Sequence, residues 1–139
     1  MNQFLMFFLA AVFIIGVLLL VVIMLTRKGP HPLDVEKYRS RWLAIEQGLR
    51  QAETSSYQLS VLNADKLLDQ AMKDRGCGGN TTAERMKVAT PKWSQSQQVW
   101  AAHKLRNKIA HEPDFTVTYN EARQAMGAFK RALKELGAI

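Results

Sequence analysis

Arg106, Asn107 and His111 lie close together in the run Leu105-Arg106-Asn107-Lys108-Ile109-Ala110-His111, and their types suit work on a phosphate group. A guanidinium grips phosphate oxygens through two parallel hydrogen bonds, an imidazole titrates near neutrality and can move protons, and a side-chain amide can orient either partner. Lys104, just before the three, and Lys108, between Asn107 and His111, add positive charge for tracking a phosphate backbone. No metal or other cofactor is expected. His103 and His111 are eight apart with no carboxylate set between them, and no other metal-ligand spacing occurs.

A second use competes for Arg106. Val99, Ala102, Arg106 and Ile109 step by 3, 4 and 3, and Val61, Asp65, Leu68 and Met72 step by 4, 3 and 4, so Arg106 and Asp65 point inward from otherwise apolar helical stripes. An unpaired buried charge is too costly, which predicts that they pair with each other or with Glu46 or Asp69. In this reading Arg106 is a structural charge that fixes helix register. The chemical reading also has a geometric condition. Five residues on one helix differ in direction by about 140°. The helix must therefore end or distort at His111, and Pro113 favours this by disfavouring helical geometry at Glu112.

Four long helical patterns position these residues. The first has Asp34 as N-cap and Tyr38, Trp42, Ile45 and Leu49 as its buried face. The second starts near Ser55, with Gln58 completing a capping box, carries Tyr57, Val61, Leu68 and Met72, and stops at Gly76. A glycine loop then leads to Thr81 and Glu84, the box of a short helix ending before Pro91. The third long helix is expected from near Ser94, with Gln97 at the capping position, to just before Pro113. The last has Thr118 with Glu121 as its box, Ala122, Met126, Phe129, Leu133 and Leu136 as its stripe, and Gly137 as its stop. Phe115 to Thr118 is short enough and placed to be a brief extended stretch. The expected class is all-α, with an antiparallel four-helix bundle and one short extra helix behind an N-terminal transmembrane helix.

That transmembrane helix is the plainest feature of the chain. From Phe4 to Leu25 every residue is apolar or Gly16, a run of about 22 residues that spans about 33 Å as a helix. All 19 Lys and Arg and all 12 Asp and Glu lie at or beyond Arg27. A cleaved signal peptide would need a basic start, a shorter apolar core and a small-residue cleavage site, and none is present. The expected organisation is an anchor over residues 1–26, a basic Gly/Pro linker over 27–34 and a bundle over 35–139. Cations crowd the carboxyl side of the anchor, so the positive-inside rule puts the amino terminus outside the cell (inner or plasma) membrane and the bundle in the cytoplasm. One cysteine, Cys77, excludes an internal disulfide framework.

Other features read as structural. Trp93 and Trp100 are expected to fill or cover a core, Cys77 to be inert, and His31 and His103 to be surface or cap residues. The loop Gly76-Cys77-Gly78-Gly79-Asn80 lacks the Lys and the preceding strand of a P-loop. The basic residues of the last two long helices, Arg123, Lys130, Arg131 and Lys134 among them, read as a solvated face or as a phosphate-tracking surface.

The segment from Leu105 to His111 resembles the signature of HEPN domains, in which an Arg followed by a polar residue precedes a His by four to six residues. The gap here is four and the follower is Asn107, on the third long helix of a four-helix pattern. Ala64-Asp65-Lys66-Leu67-Leu68 also looks like that family's second helix, and the resemblance covers about Val35 to Ile139. It implies a metal-independent endoribonuclease acting as a homodimer, with the Arg and His of two subunits meeting at a two-fold axis and the RNA's own 2′-hydroxyl attacking the adjacent phosphorus. Many members of the family bind nucleotides or proteins without cleaving. The expected partners are therefore the lipid bilayer, RNA and a second copy of the chain, or else an unidentified protein recruited by a non-catalytic interaction module.

Overall fold

The computed structural model describes residues 2–26 and 32–139, and these divide into two compact units, residues 1–30 and 31–139. The residues from 27 to 31 of the expected linker, and with them His31, lie outside the described residues. The first unit is one helix, α1 (Gln3–Thr26), whose mean hydropathy of 3.3 and 24 residues make it long and apolar enough to cross a membrane. Its apolar residues are spread around the whole circumference, as a lipid-facing helix requires and a half-buried one does not. Thr26 folds its hydroxyl back onto the Val22 carbonyl at 2.7 Å, so the polar group at the end of the helix is satisfied internally.

The second unit is helical throughout its ordered elements: α2 (Val35–Gly48), α3 (Thr54–Asp74), α4 (Thr82–Ala89) running into a 3₁₀ turn (Thr90–Lys92), α5 (Ser96–His111) and α6 (Tyr119–Glu135). No strand forms among the described residues, and 115–118 is an irregular connection. The long helices alternate in direction. Tyr38 at the start of α2 donates to Asp74 at the end of α3, and Gln58 at the start of α3 donates to the Phe115 carbonyl beyond the end of α5. Arg131 late in α6 donates to Gln98 early in α5. α3 and α6 therefore run parallel and form the middle of the bundle, with α2 and α5 running the other way and α4 laid against α3.

The core follows the stripes. Tyr38 and Trp42 of α2, Tyr57, Val61, Leu68 and Met72 of α3, and Ala122, Met126, Phe129, Leu133 and Leu136 around α6 are all buried, and Ile45 and Leu49 pack at the edge. Burying such side chains contributes about 1.5–3 kcal/mol each before the entropy of ordering the chain is counted.

Helix ends divide into two groups. Asp34, Thr81 with Glu84, and Thr118 with Glu121 cap α2, α4 and α6 as their spacing indicates. The boxes expected at Ser55 with Gln58 and at Ser94 with Gln97 do not form. α3 begins one residue earlier after Glu53, and Gln58 bonds Phe115 instead. α5 begins at Ser96, and Ser94 bonds Glu135 at the end of α6 through its backbone N–H at 3.0 Å and its hydroxyl. Tertiary partners prevail over local ones there. At the other ends, Gly76 and Gly137 adopt φ of 87° and 79° and close α3 and α6 identically, with Cys77 N–H bonding the Met72 carbonyl and Ala138 N–H bonding that of Leu133, both at 2.9 Å.

Candidate functional site

α3 carries two acidic residues one turn apart on its face toward α4 and α5, Asp65 and Asp69. Asp65 is 2% exposed, and both of its oxygens meet α5. His103 Nδ1–H donates to Oδ1 at 2.7 Å, and Arg106 Nε stands 3.4 Å from Oδ2. These two contacts are unlike. The first is a short charge-assisted hydrogen bond, whereas the second is an attraction without hydrogen-bond geometry, since Arg106 Nε has no acceptor. The rest of the guanidinium turns outward: Nη1 donates to Asn107 Oδ1 at 3.0 Å, and the side chain keeps 35% of its surface in solvent. Trp100 lies edge-on to the His103 ring at 6.3 Å and screens it from one side.

The expectation that His103 is a surface or cap residue is therefore corrected: it is buried and holds the shorter of the two bonds to Asp65. Its sequence position carries the signal. His103 is four residues after Val99 and three before Arg106, on the same inward stripe, and a polar residue there must find a partner.

The remaining residues lie on the outer surface of α5. His111 is the last residue of the helix and exposed, and Glu112 follows with φ −110° and ψ 101°, so the helix ends where Pro113 requires. Among the described residues the His111 side chain makes no hydrogen bond, and one protomer does not join it to Arg106. Asn107 lies between them along the helix, bonded to Arg106 and one helical turn from His111. Lys104 and Lys108 are exposed, the latter 5.6 Å from the centroid of the Phe115 ring. Of the cations on α6, Lys130 pairs with Glu46 at 3.0 Å, Arg123 lies over Tyr119, and Arg131 bonds Gln95 and Gln98, which leaves Lys134 as an exposed charge beyond these contacts.

A groove of about 600 Å³ between α5 and α6, lined by Gln98, Ala101, Glu121, Gln124 and Arg131, does not include Asp65, His103 or Arg106. Compared with models of protein families, with curated proteins and with solved structures, the chain matches none.

Proposed function

We propose that this chain is a membrane-tethered, HEPN-like module that binds RNA on its cytoplasmic bundle and cleaves it as a homodimer without a metal. One observation carries the reading: Arg106 is held from behind by the buried Asp65, while its terminal nitrogens reach the surface beside Asn107. A guanidinium drawn to a carboxylate along one edge and bonded to Asn107 along another has its orientation restricted before an anion arrives, which lowers the entropy cost of gripping a phosphodiester. Two copies of the segment from Arg106 to His111 meeting at a two-fold axis would supply an imidazole near each guanidinium, which one helix alone does not. The imidazole takes the 2′-hydroxyl proton, the 2′-oxygen bonds to phosphorus, and the bond to the 5′-oxygen breaks as a proton is returned to it. The products carry a 2′,3′-cyclic phosphate and a 5′-hydroxyl. Lys104 and Lys108 hold flanking phosphates. The cations that follow α1 in sequence set the orientation, with the amino terminus outside.

The full chain in detergent micelles, incubated with mixed single-stranded RNA in chelator, should release cyclic-phosphate ends, and Arg106→Ala and His111→Ala should each slow this at least 100-fold. Equal decay from all three proteins, or none, overturns the catalytic reading. A second reading has its own support, because both oxygens of Asp65 are occupied across the interface of α3 and α5. In that case the cluster is a register-fixing bridge, and the bundle recruits a protein to the bilayer without cleaving anything.

A further inference from the structure

Resting on the RNA-binding reading above, we infer that His103 is a positioning residue that keeps Arg106 available to phosphate by denying it half of the Asp65 carboxylate.

A free aspartate and arginine side chain of this kind prefer a two-pronged pair, in which Nε and one terminal nitrogen each take an oxygen. The same helix shows that arrangement one turn away, where Arg85 Nε and Nη2 bond Asp69 Oδ1 and Oδ2 at 2.7 and 3.1 Å and the guanidinium is buried. At Asp65 it does not form: His103 Nδ1–H takes up Oδ1 at 2.7 Å, and Arg106 Nε stands 3.4 Å from Oδ2 without hydrogen-bond geometry. Nη1 turns to Asn107, and a third of the side chain stays in water. The imidazole itself is buried and packed by Trp100, so it is not placed to touch an RNA chain. Its effect passes through the carboxylate it shares.

Removing the His103 donor frees Oδ1. Arg106 then closes onto both oxygens, its terminal nitrogens turn inward, and the surface loses its oriented guanidinium. An asparagine at 103 presents an N–H close to where Nδ1–H stands and keeps Oδ1 engaged.

The test compares His103→Leu, His103→Asn and Arg106→Ala in the full chain in detergent micelles, with binding to a fluorescent single-stranded RNA oligonucleotide and the exchange rate of the Arg106 Nε proton by NMR as readouts. His103→Leu should weaken RNA binding roughly tenfold and slow Nε–H exchange as the two-pronged pair forms, while His103→Asn stays within about twofold of the parent on both. Thermal unfolding measured alongside reports folding. If His103→Leu does not fold, His103→Ala takes its place, and a parent-like His103→Asn beside a tenfold-weakened His103→Ala supports the inference equally. Unchanged RNA affinity in the folded leucine or alanine variant, or Nε–H exchange that speeds up, overturns it. If Arg106→Ala binds RNA as well as the parent, it is the underlying RNA reading that has failed, and the exchange rates alone then decide whether His103 controls the guanidinium.

Discussion

The two carboxylate–guanidinium pairs on α3 stand one turn apart and differ in almost every respect that matters. Asp69 is gripped from three sides, by both forks of Arg85 and by Lys73 at 3.1 Å, and Arg85 also donates to the Gly79 carbonyl at 2.7 Å. That set closes the loop between α3 and α4. Gly79 is part of it, since its φ of 142° and a built Cβ only 2.7 Å from that of Glu84 leave no room for a side chain. The Arg85 side chain is 8% exposed, and its Nε, Nη1 and Nη2 all bond oxygens within the fold. Asp65 is buried more deeply, yet its arginine is held by one edge and reaches out. A guanidinium that is locked with good geometry stabilises a loop. One that is held loosely by a buried carboxylate is presented to whatever lies outside.

Breaking the closed pair should have the largest effect. Arg85→Ala leaves Asp69 with Lys73 as its remaining cation and should cost about 3 kcal/mol, read as a lower urea midpoint of tryptophan fluorescence. All three tryptophans belong to the bundle, so the signal reports that unit. A loss below about 1 kcal/mol would mean that the loop is held by something other than this latch.

Acid should have a smaller effect with a definite sign. Burial raises the Asp69 carboxyl, but its bonds to Arg85, Lys73 and Thr82 outweigh that and hold it below the ordinary value of 3.8. The Tyr38 hydroxyl does the same for Asp74 against a weaker desolvation, while burial and that same bond push the Tyr38 phenol well above its usual range. Both carboxyls titrate lower folded than unfolded. Their contribution is therefore complete above the ordinary carboxylate value and is lost as the pH falls through the lowered folded values. The unaltered protein should lose stability below pH 3.8, and Asp69→Asn should lose less over the same window, which chemical denaturation at a series of pH values checks. A parallel loss in both proteins would show that Asp69 is not responsible.

The smallest change in stability should come from Arg106→Lys, within about 0.5 kcal/mol, because the pair it alters is part-exposed and lacks hydrogen-bond geometry. Its effect on RNA affinity should be larger, since an ammonium offers no fork to a phosphate. A stability loss as great as that of Arg85→Ala would make the two pairs alike and favour the register-fixing reading.

The architecture could be read from the chain because the dominant forces are local and periodic. The stripe of α6 and its box at Thr118 and Glu121 depend on residues three and four apart, and so does the glycine stop at Gly137. The unformed boxes at Ser55 and Ser94 show the limit of that logic. Nothing near Ser94 in sequence announces Glu135, which lies 41 residues away and captures it. The site divides in the same manner. Asp65 and Arg106 stand out because charge interrupts an apolar stripe, and His103 shares that inward stripe, but which group it bonds is decided by the helix that faces it. That Asp65 divides its two oxygens between residues 103 and 106 is a fact of helix packing, and spacing along one chain does not encode it.

The glycine closure at the end of α3 has a practical outcome for the sole thiol. By turning the backbone back at Gly76 it tucks Cys77 against the core, where it is 8% exposed, so aqueous maleimides and mild oxidants should pass the folded protein by. The native chain is in effect a cysteine-free background. Sidedness across the bilayer can be mapped by installing a reporter thiol at an open position such as Ser40 or Thr116, with no need to replace the one already there.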